Sequence, residues 1–169
     1  MDSANNTVEL NAALSNPRDD IAKLDELEKK LFALSYAANE IGSFGPCIDP
    51  KKAAEERGEA LAILGEQVQE TLCDPAVGAL LDRLHENRAL LDETHRAQVK
   101  ILRRDRSKLV DVPVELQSNF VRLATEANEV WEQAKSSDDW SLFAPKLDGL
   151  IELCKEMCQA RDASIDPYD

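Results

Sequence analysis

A chain of 169 residues with 33 acidic and 20 basic side chains, and so a net charge of −13, has the length of one domain. Its negative field repels phosphate and argues against DNA or RNA as a partner, and no run approaches the ~20 apolar residues that cross a bilayer. With 43% apolar, 31% charged and only 5% aromatic residues, there is material for a core, and the balance favours helix interiors over strand surfaces.

Taken in chain order, residues 1–17 are expected to be weakly ordered or a short helix, with Thr7 to Leu14 as one turn. Residues 18–169 are expected to form a single helical domain. Ile21, Leu24, Leu27, Leu31 and Leu34 recur at three- and four-residue steps and predict a first helix from about Asp19 to Glu40. Gly42-Ser43-Phe44-Gly45-Pro46 predicts a break, and Asp49-Pro50 restarts the chain, since Asp caps a helix and Pro suits its first position. The second helix, to about Leu72, would bury Ala53, Ala54, Ala60, Leu61, Leu64 and Val68. Asp74-Pro75 repeats the start signal for a shorter helix carrying Val77, Leu80, Leu81 and Leu84.

A fourth, more polar helix from about Asp92 to Lys108 offers Ala97, Ile101 and Leu102 as buried positions. Asp111-Val112-Pro113 opens a fifth, with Leu116, Phe120, Leu123, Ala127, Val130 or Trp131, and Ala134 on its stripe. Ser136 to Asp139 reads as a polar turn. The last helix has a broken start, Trp140 to Pro145, and then carries Leu147, Leu150, Ile151, Cys154, Met157 and Cys158. No alternating strand pattern of useful length appears. The fold class is therefore all-α, a bundle of about five to six amphipathic helices with antiparallel neighbours.

The chemistry-bearing residues are few. A helical zinc site needs two His at i and i+4 with a Glu beside the first. His85-Glu86 begins so, but Ala89 stands at i+4 and His95 is too far along, so both histidines read as surface residues. No Gly-x-Ser-x-Gly turn and no phosphate loop occurs. The pairs Glu55-Glu56 and Asp138-Asp139 could do acid–base work, but 33 acidic residues make such pairs common. The basic cluster Lys100, Arg103, Arg104, Arg106 and Lys108 reads as a solvated helix face. Of four cysteines, Cys47 and Cys73 stand apart. Cys154 and Cys158, at i and i+4, could share a metal or report redox state, but read more naturally as small core residues beside Leu147, Leu150 and Ile151. No catalytic, cofactor-binding or metal-binding residue is assigned.

Several segments in a fixed order point further. They are Arg103-Arg104-Asp105, then Val112-Pro113-Val114-Glu115-Leu116, then Trp131-Glu132-Gln133-Ala134-Lys135, then Asp138-Asp139-Trp140-Ser141-Leu142-Phe143-Ala144-Pro145-Lys146-Leu147. With Ala53 to Leu61, Asp74 to Leu81 and the ending Asp166-Pro167-Tyr168-Asp169, the chain resembles the N-terminal helical region of the carboxypeptidase Taq family, thermostable zinc metallocarboxypeptidases. Where family members carry Trp-Asp-x-x-Thr-x-Met-Pro, this chain has Ser35 to Glu40 and the Gly42 to Pro46 stretch.

The resemblance implies a non-catalytic part of a longer enzyme that releases C-terminal amino acids from peptides. In that family the His-Glu-x-x-His motif and the remaining ligands lie C-terminal to this stretch, so no site residue carries over. Zinc or cobalt would belong to the parent enzyme, and this chain would hold no cofactor. The expected partner is protein, either a catalytic region or a homologous subunit, with a homodimer as one form and peptide substrate only in the parent. The expected role is to wall a substrate groove; the alternative is a stand-alone interaction or regulatory module derived from the family. The first residues, Met1 to Asn11, lack a basic and apolar leader, and the expected location is cytoplasmic.

Overall fold

A computed structural model describes residues 17–48, 54–162 and 164. The expected turn at Thr7 to Leu14, the Asp49-Pro50 start and the side chain of Cys47 lie outside the described residues. Those described form six α-helices and one 3₁₀ turn, with no strand among them. They are α1 (Pro17–Ile48), α2 (Ala54–Cys73), α3 (Pro75–Glu86), the 3₁₀ turn Arg88–Leu90, α4 (Glu93–Ser107), α5 (Val114–Ser137) and α6 (Trp140–Arg161). The all-α expectation holds.

The long helices stand in a row: α1 packs on α2, α2 on α5, and α5 on α6. The α3–α4 pair closes one end of the row, against α1 and α2. Starts follow the capping residues closely. Asp74 accepts from the Ala76 amide at 2.7 Å, Asp92 from His95 at 2.8 Å and Asp139 from Ser141 at 3.0 Å. Each satisfies an amide left without a partner in a first helical turn.

Two predicted breaks are absent. α1 runs on through Gly42 to Ile48. Each glycine costs about 1 kcal/mol relative to Ala and a proline about 3, penalties that weigh against a helix without forbidding one. The last helix likewise starts at Trp140 and passes through Pro145 without interruption. One missing backbone hydrogen bond near the start is tolerated there, and Leu142 N–H turns back to Asp139 O in a tightened first turn at 3.4 Å. α5 ends on Asp138, whose left-handed backbone (φ 52°, ψ 38°) reverses the chain into an antiparallel α6.

The core lies where α1 meets α3 and α4. Leu24, Leu80, Leu81, Leu84, Leu91 and Val99 are buried together, with Ile21, Val77 and Leu102 packed against them. Val99 takes the place expected for Ala97 and Ile101, both of which are exposed. On so polar a helix several rotations of the buried stripe are compatible with the sequence. The α2–α5 contact is built differently, from small residues: Gly58, Ala62, Ser118, Ala127 and Ala134 are buried. This corrects the expected stripe: Ala54, Ala60, Leu61, Leu64 and Val68 are only partly covered, Ala62 and Leu72 are buried instead, and the side chain of Ala53 lies outside the described residues.

No residue of α6 is buried. Cys154 is exposed and Cys158 half-buried, which corrects the expectation that this pair sits in a core. The stripe holding them lies on a side of α6 that α5 does not cover, so apolar periodicity locates a face without saying what meets it.

Candidate functional site

Buried charge in this fold is paired between helices. Asp20 on α1, 4% exposed, receives Nε and Nη2 of Arg83 on α3 at 3.0 and 3.1 Å. Arg57 on α2 is paired with Glu129 on α5. Gln69 on α2 donates to the carbonyls of Leu109 and Val112 at 3.2 and 2.7 Å and so fixes the turn before α5. Ser118 donates to Glu66 at 2.6 Å. These contacts hold helices in place, while the Gln69 side-chain oxygen is buried without a partner.

The basic cluster on α4 is engaged as well. Arg103 pairs with Asp82 and Arg104 with Asp105, each at 3.0 Å. Arg106 donates to the carbonyls of Leu72 and Asp74 and so closes the C-terminal end of α2. Its guanidinium lies 2.9 Å from where a β-carbon on Gly78 would stand, so the arginine passes close over that glycine. A cleft of about 210 Å³ beside them is lined by Gly78, Leu81, Asp82, Arg103, Arg106 and Val110 among others. A phosphate patch would need these guanidinium groups open, and they are committed.

The densest meeting of titratable groups lies between α1 and α4. His95, 21% exposed, has Nδ1 at 2.8 Å from Asp92 Oδ1 and Nε2 at 3.4 Å from Asp25 Oδ1. Gln98 donates to Glu28 beside them. Burial, joined by the Asp25 carboxylate, raises the Glu28 carboxyl above its ordinary range. The His95 amide holds Asp92 below its own. A cleft of about 420 Å³, lined by Asp25, Glu28, Lys29 and Phe32, opens alongside.

His95 is therefore more than a surface residue: it ties two helices. The contact to Asp92 is visible in the sequence as a cap three residues away, whereas Asp25 lies 70 residues distant and gave no signal. His85 is exposed on α3, as expected.

None of this makes a metal centre. Among the described residues no three His, Cys, Asp or Glu come together in a way that could hold an ion. Asp138 and Asp139 serve the turn, Asp139 as a cap, and Glu55 and Glu56 are exposed in the first turn of α2. Cys154 and Cys158 gain no third ligand; Arg161 donates to the Cys158 sulfur at 3.3 Å. No described helix is long and apolar enough to cross a membrane.

Comparison with known proteins places the fold. Residues 26–169 match the carboxypeptidase Taq (M32) metallopeptidase family. Carboxypeptidase 1 of Bacillus subtilis is 28% identical over 120 residues, which cover 71% of this chain and 24% of that protein. Thermostable carboxypeptidase 1 of Pyrococcus furiosus is 30% identical over 147 residues, 83% of this chain and 28% of that protein. The BsuCP crystal structure superposes with a TM-score of 0.72 at 24% identity, over 90% of this chain and 30% of that one, a likeness of fold. The chain thus spans about a quarter of the length of the curated relatives it matches.

Proposed function

Since the chain belongs to the carboxypeptidase Taq (M32) metallopeptidase family, we propose that it is a non-catalytic helical region of a metallocarboxypeptidase-type protein, one that walls and restricts a substrate groove. The observation that carries this reading is the family match over residues 26–169, in a sequence whose two histidines stand ten residues apart with no His-Glu-x-x-His between or around them. A metallopeptidase needs several ligands converging on one ion. The residues here do not fit a zinc or cobalt ion, and no step of peptide cleavage is assigned to them. The metal, the peptide substrate and the release of C-terminal residues belong in this reading to a catalytic region, which is the expected protein partner. The row α1–α2–α5–α6 supplies a wall four helices long, braced at one end by α3–α4. Free thiols at Cys73, Cys154 and Cys158 fit a reducing, cytoplasmic setting.

Replacing the matched stretch of Bacillus subtilis carboxypeptidase 1 with residues 26–169 tests the reading. A folded chimera that still releases C-terminal residues, with an altered tolerance for peptide length or bulk, is expected. A folded, active chimera with the parent's substrate range unchanged would contradict groove shaping.

A further inference from the structure

Free cysteine is among the most buried residue types, yet α6 presents two within a single turn. Cys154 is exposed and Cys158 half-buried, both as free thiols. Their spacing of four residues sets them one above the other on the same side of the helix. β-Carbons so placed stand about 5–6 Å apart. Two thiolates that approach one metal ion from opposite sides, each at about 2.3 Å, have their sulfurs about 4.6 Å apart. A small inward turn of each Cβ–Sγ bond meets that requirement with the helix unchanged.

The surroundings select the kind of ion. Arg161, one turn beyond Cys158, donates Nη2 to the Cys158 sulfur and Nε to the Met157 carbonyl, each at 3.3 Å, so a guanidinium is anchored beside the pair. The neighbouring carboxylates are held elsewhere: Glu152 by Lys155 at 2.8 Å, and Asp162 by the Ser164 amide and hydroxyl at 2.9 and 2.6 Å. Leu147, Leu150 and Ile151 occupy the turns just before the cysteines on that side. Among the described residues no His, Asp or Glu joins the pair to make a group of three ligands. Two sulfurs fall short of the four ligands of a structural zinc site and lack the oxygens that calcium and magnesium require. They suit a soft monovalent ion, for which two thiolates in line are a sufficient shell.

We propose that Cys154 and Cys158 form a two-coordinate site for a soft, thiophilic cation of the Cu(I) type, with Arg161 as the residue that balances its charge. On binding, each thiol releases its proton to solvent and forms one sulfur–copper bond. The copper stays Cu(I), and no electron is transferred. Two thiolates around a monovalent cation leave one negative charge, which the guanidinium at Cys158 offsets. Cys73, the remaining described cysteine, makes a contrast. It ends α2 without a second thiol one turn away, and burial pushes its thiol up, so it competes poorly for an ion that must displace the proton. The site rests on this chain's own side chains and does not depend on the groove-wall reading.

Anaerobic titration of the full chain with Cu(I), with bicinchoninate as the competing chelator, tests the proposal. In a chain carrying Cys47→Ser and Cys73→Ser, one ion per chain should bind, with an ultraviolet thiolate-to-copper band and the release of about two protons. Cys154→Ser and Cys158→Ser should each lower the affinity about a hundredfold or more, because a single thiolate remains. Helical circular dichroism should stay intact in both, since no α6 residue is buried. Arg161→Gln should weaken binding about tenfold while the stoichiometry and the band persist. Zn²⁺ at equal concentration should leave the copper in place. Copper bound equally well after either serine substitution, or displaced by Zn²⁺, would overturn the proposal. So would half an ion per chain, the mark of an ion shared between chains, and an unchanged affinity in Arg161→Gln would overturn the part given to that arginine.

Discussion

The two ends of this molecule solve the packing problem differently. Where α1 meets α3 and α4, leucines fill a common core and a buried ion pair, Asp20 with Arg83, ties two of the helices. Where α5 meets α6, no α6 residue is buried, an αL aspartate turns the chain, and the ion pair of Lys146 with Glu126 lies in partly exposed surroundings. The lesson is that helices of equal regularity can be held by unequal forces. The first end is stabilised by its own core, whereas the second presents apolar surface for something else to complete.

Truncating a core leucine should separate the ends most sharply. Leu81, 1% exposed, should lose about 2–5 kcal/mol on Leu81→Ala, because burial is forfeited and a cavity remains. Ile151→Ala, at an exposed site on α6, should stay within about 0.5 kcal/mol. Urea unfolding followed by circular dichroism reads both, and equal losses would erase the contrast.

Breaking the buried pair comes next. Arg83→Ala removes the two hydrogen bonds that buried Asp20 receives from α3, leaves it Lys23 at 3.8 Å, and should cost about 2 kcal/mol, reduced from the fully buried case by the partial exposure of Arg83. Lys146→Ala should cost under about 1 kcal/mol, since both partners of that pair are about a third exposed or more.

A gain is expected at the α2–α5 contact. A β-carbon on Gly58 would meet Thr125 and Arg122 atoms at 3.6–3.8 Å, which is ordinary contact. Gly58→Ala should therefore add about 0.5–1 kcal/mol by lowering the entropy of the unfolded chain. A loss instead would mean that α2 and α5 pack more tightly than these spacings describe.

The smallest effect concerns pH. Burial and Asp25 raise the Glu28 carboxyl, so the folded chain binds that proton at a higher pH than the unfolded chain does. Its contribution is fully present below the ordinary carboxylate range and is lost as pH rises through the raised value. Glu28→Gln should accordingly leave stability near neutrality unchanged or slightly higher and flatten the change on the acid side. Thermal unfolding across the acidic range checks this against the unmodified chain.

Much of the fold was legible because its signals are local. Asp74, Asp92 and Asp139 announce helix starts through contacts two or three residues away, and Leu80, Leu81 and Leu84 occupy one face of a short helix whose role was clear. What failed were readings that needed a neighbour. Gly42 to Pro46 looks like a break, yet α1 runs through it. The choice between Val99 and Ile101 depends on α3, and the Cys154 stripe reads as core only if a partner helix is assumed. The candidate site follows the same rule. His95 shows its Asp92 cap in the sequence, but the facing Asp25 and Glu28 come from α1, and only the folded chain brings them together.

The central claim is that this helical region carries the family's architecture without its chemistry. It is tested most directly by incubating the purified chain with peptides bearing free C-termini, with added Zn²⁺ or Co²⁺, and following release of the terminal amino acid by mass spectrometry. The account predicts no release above the rate in buffer, with either metal. Release that appears with metal and is abolished by a chelator would contradict it.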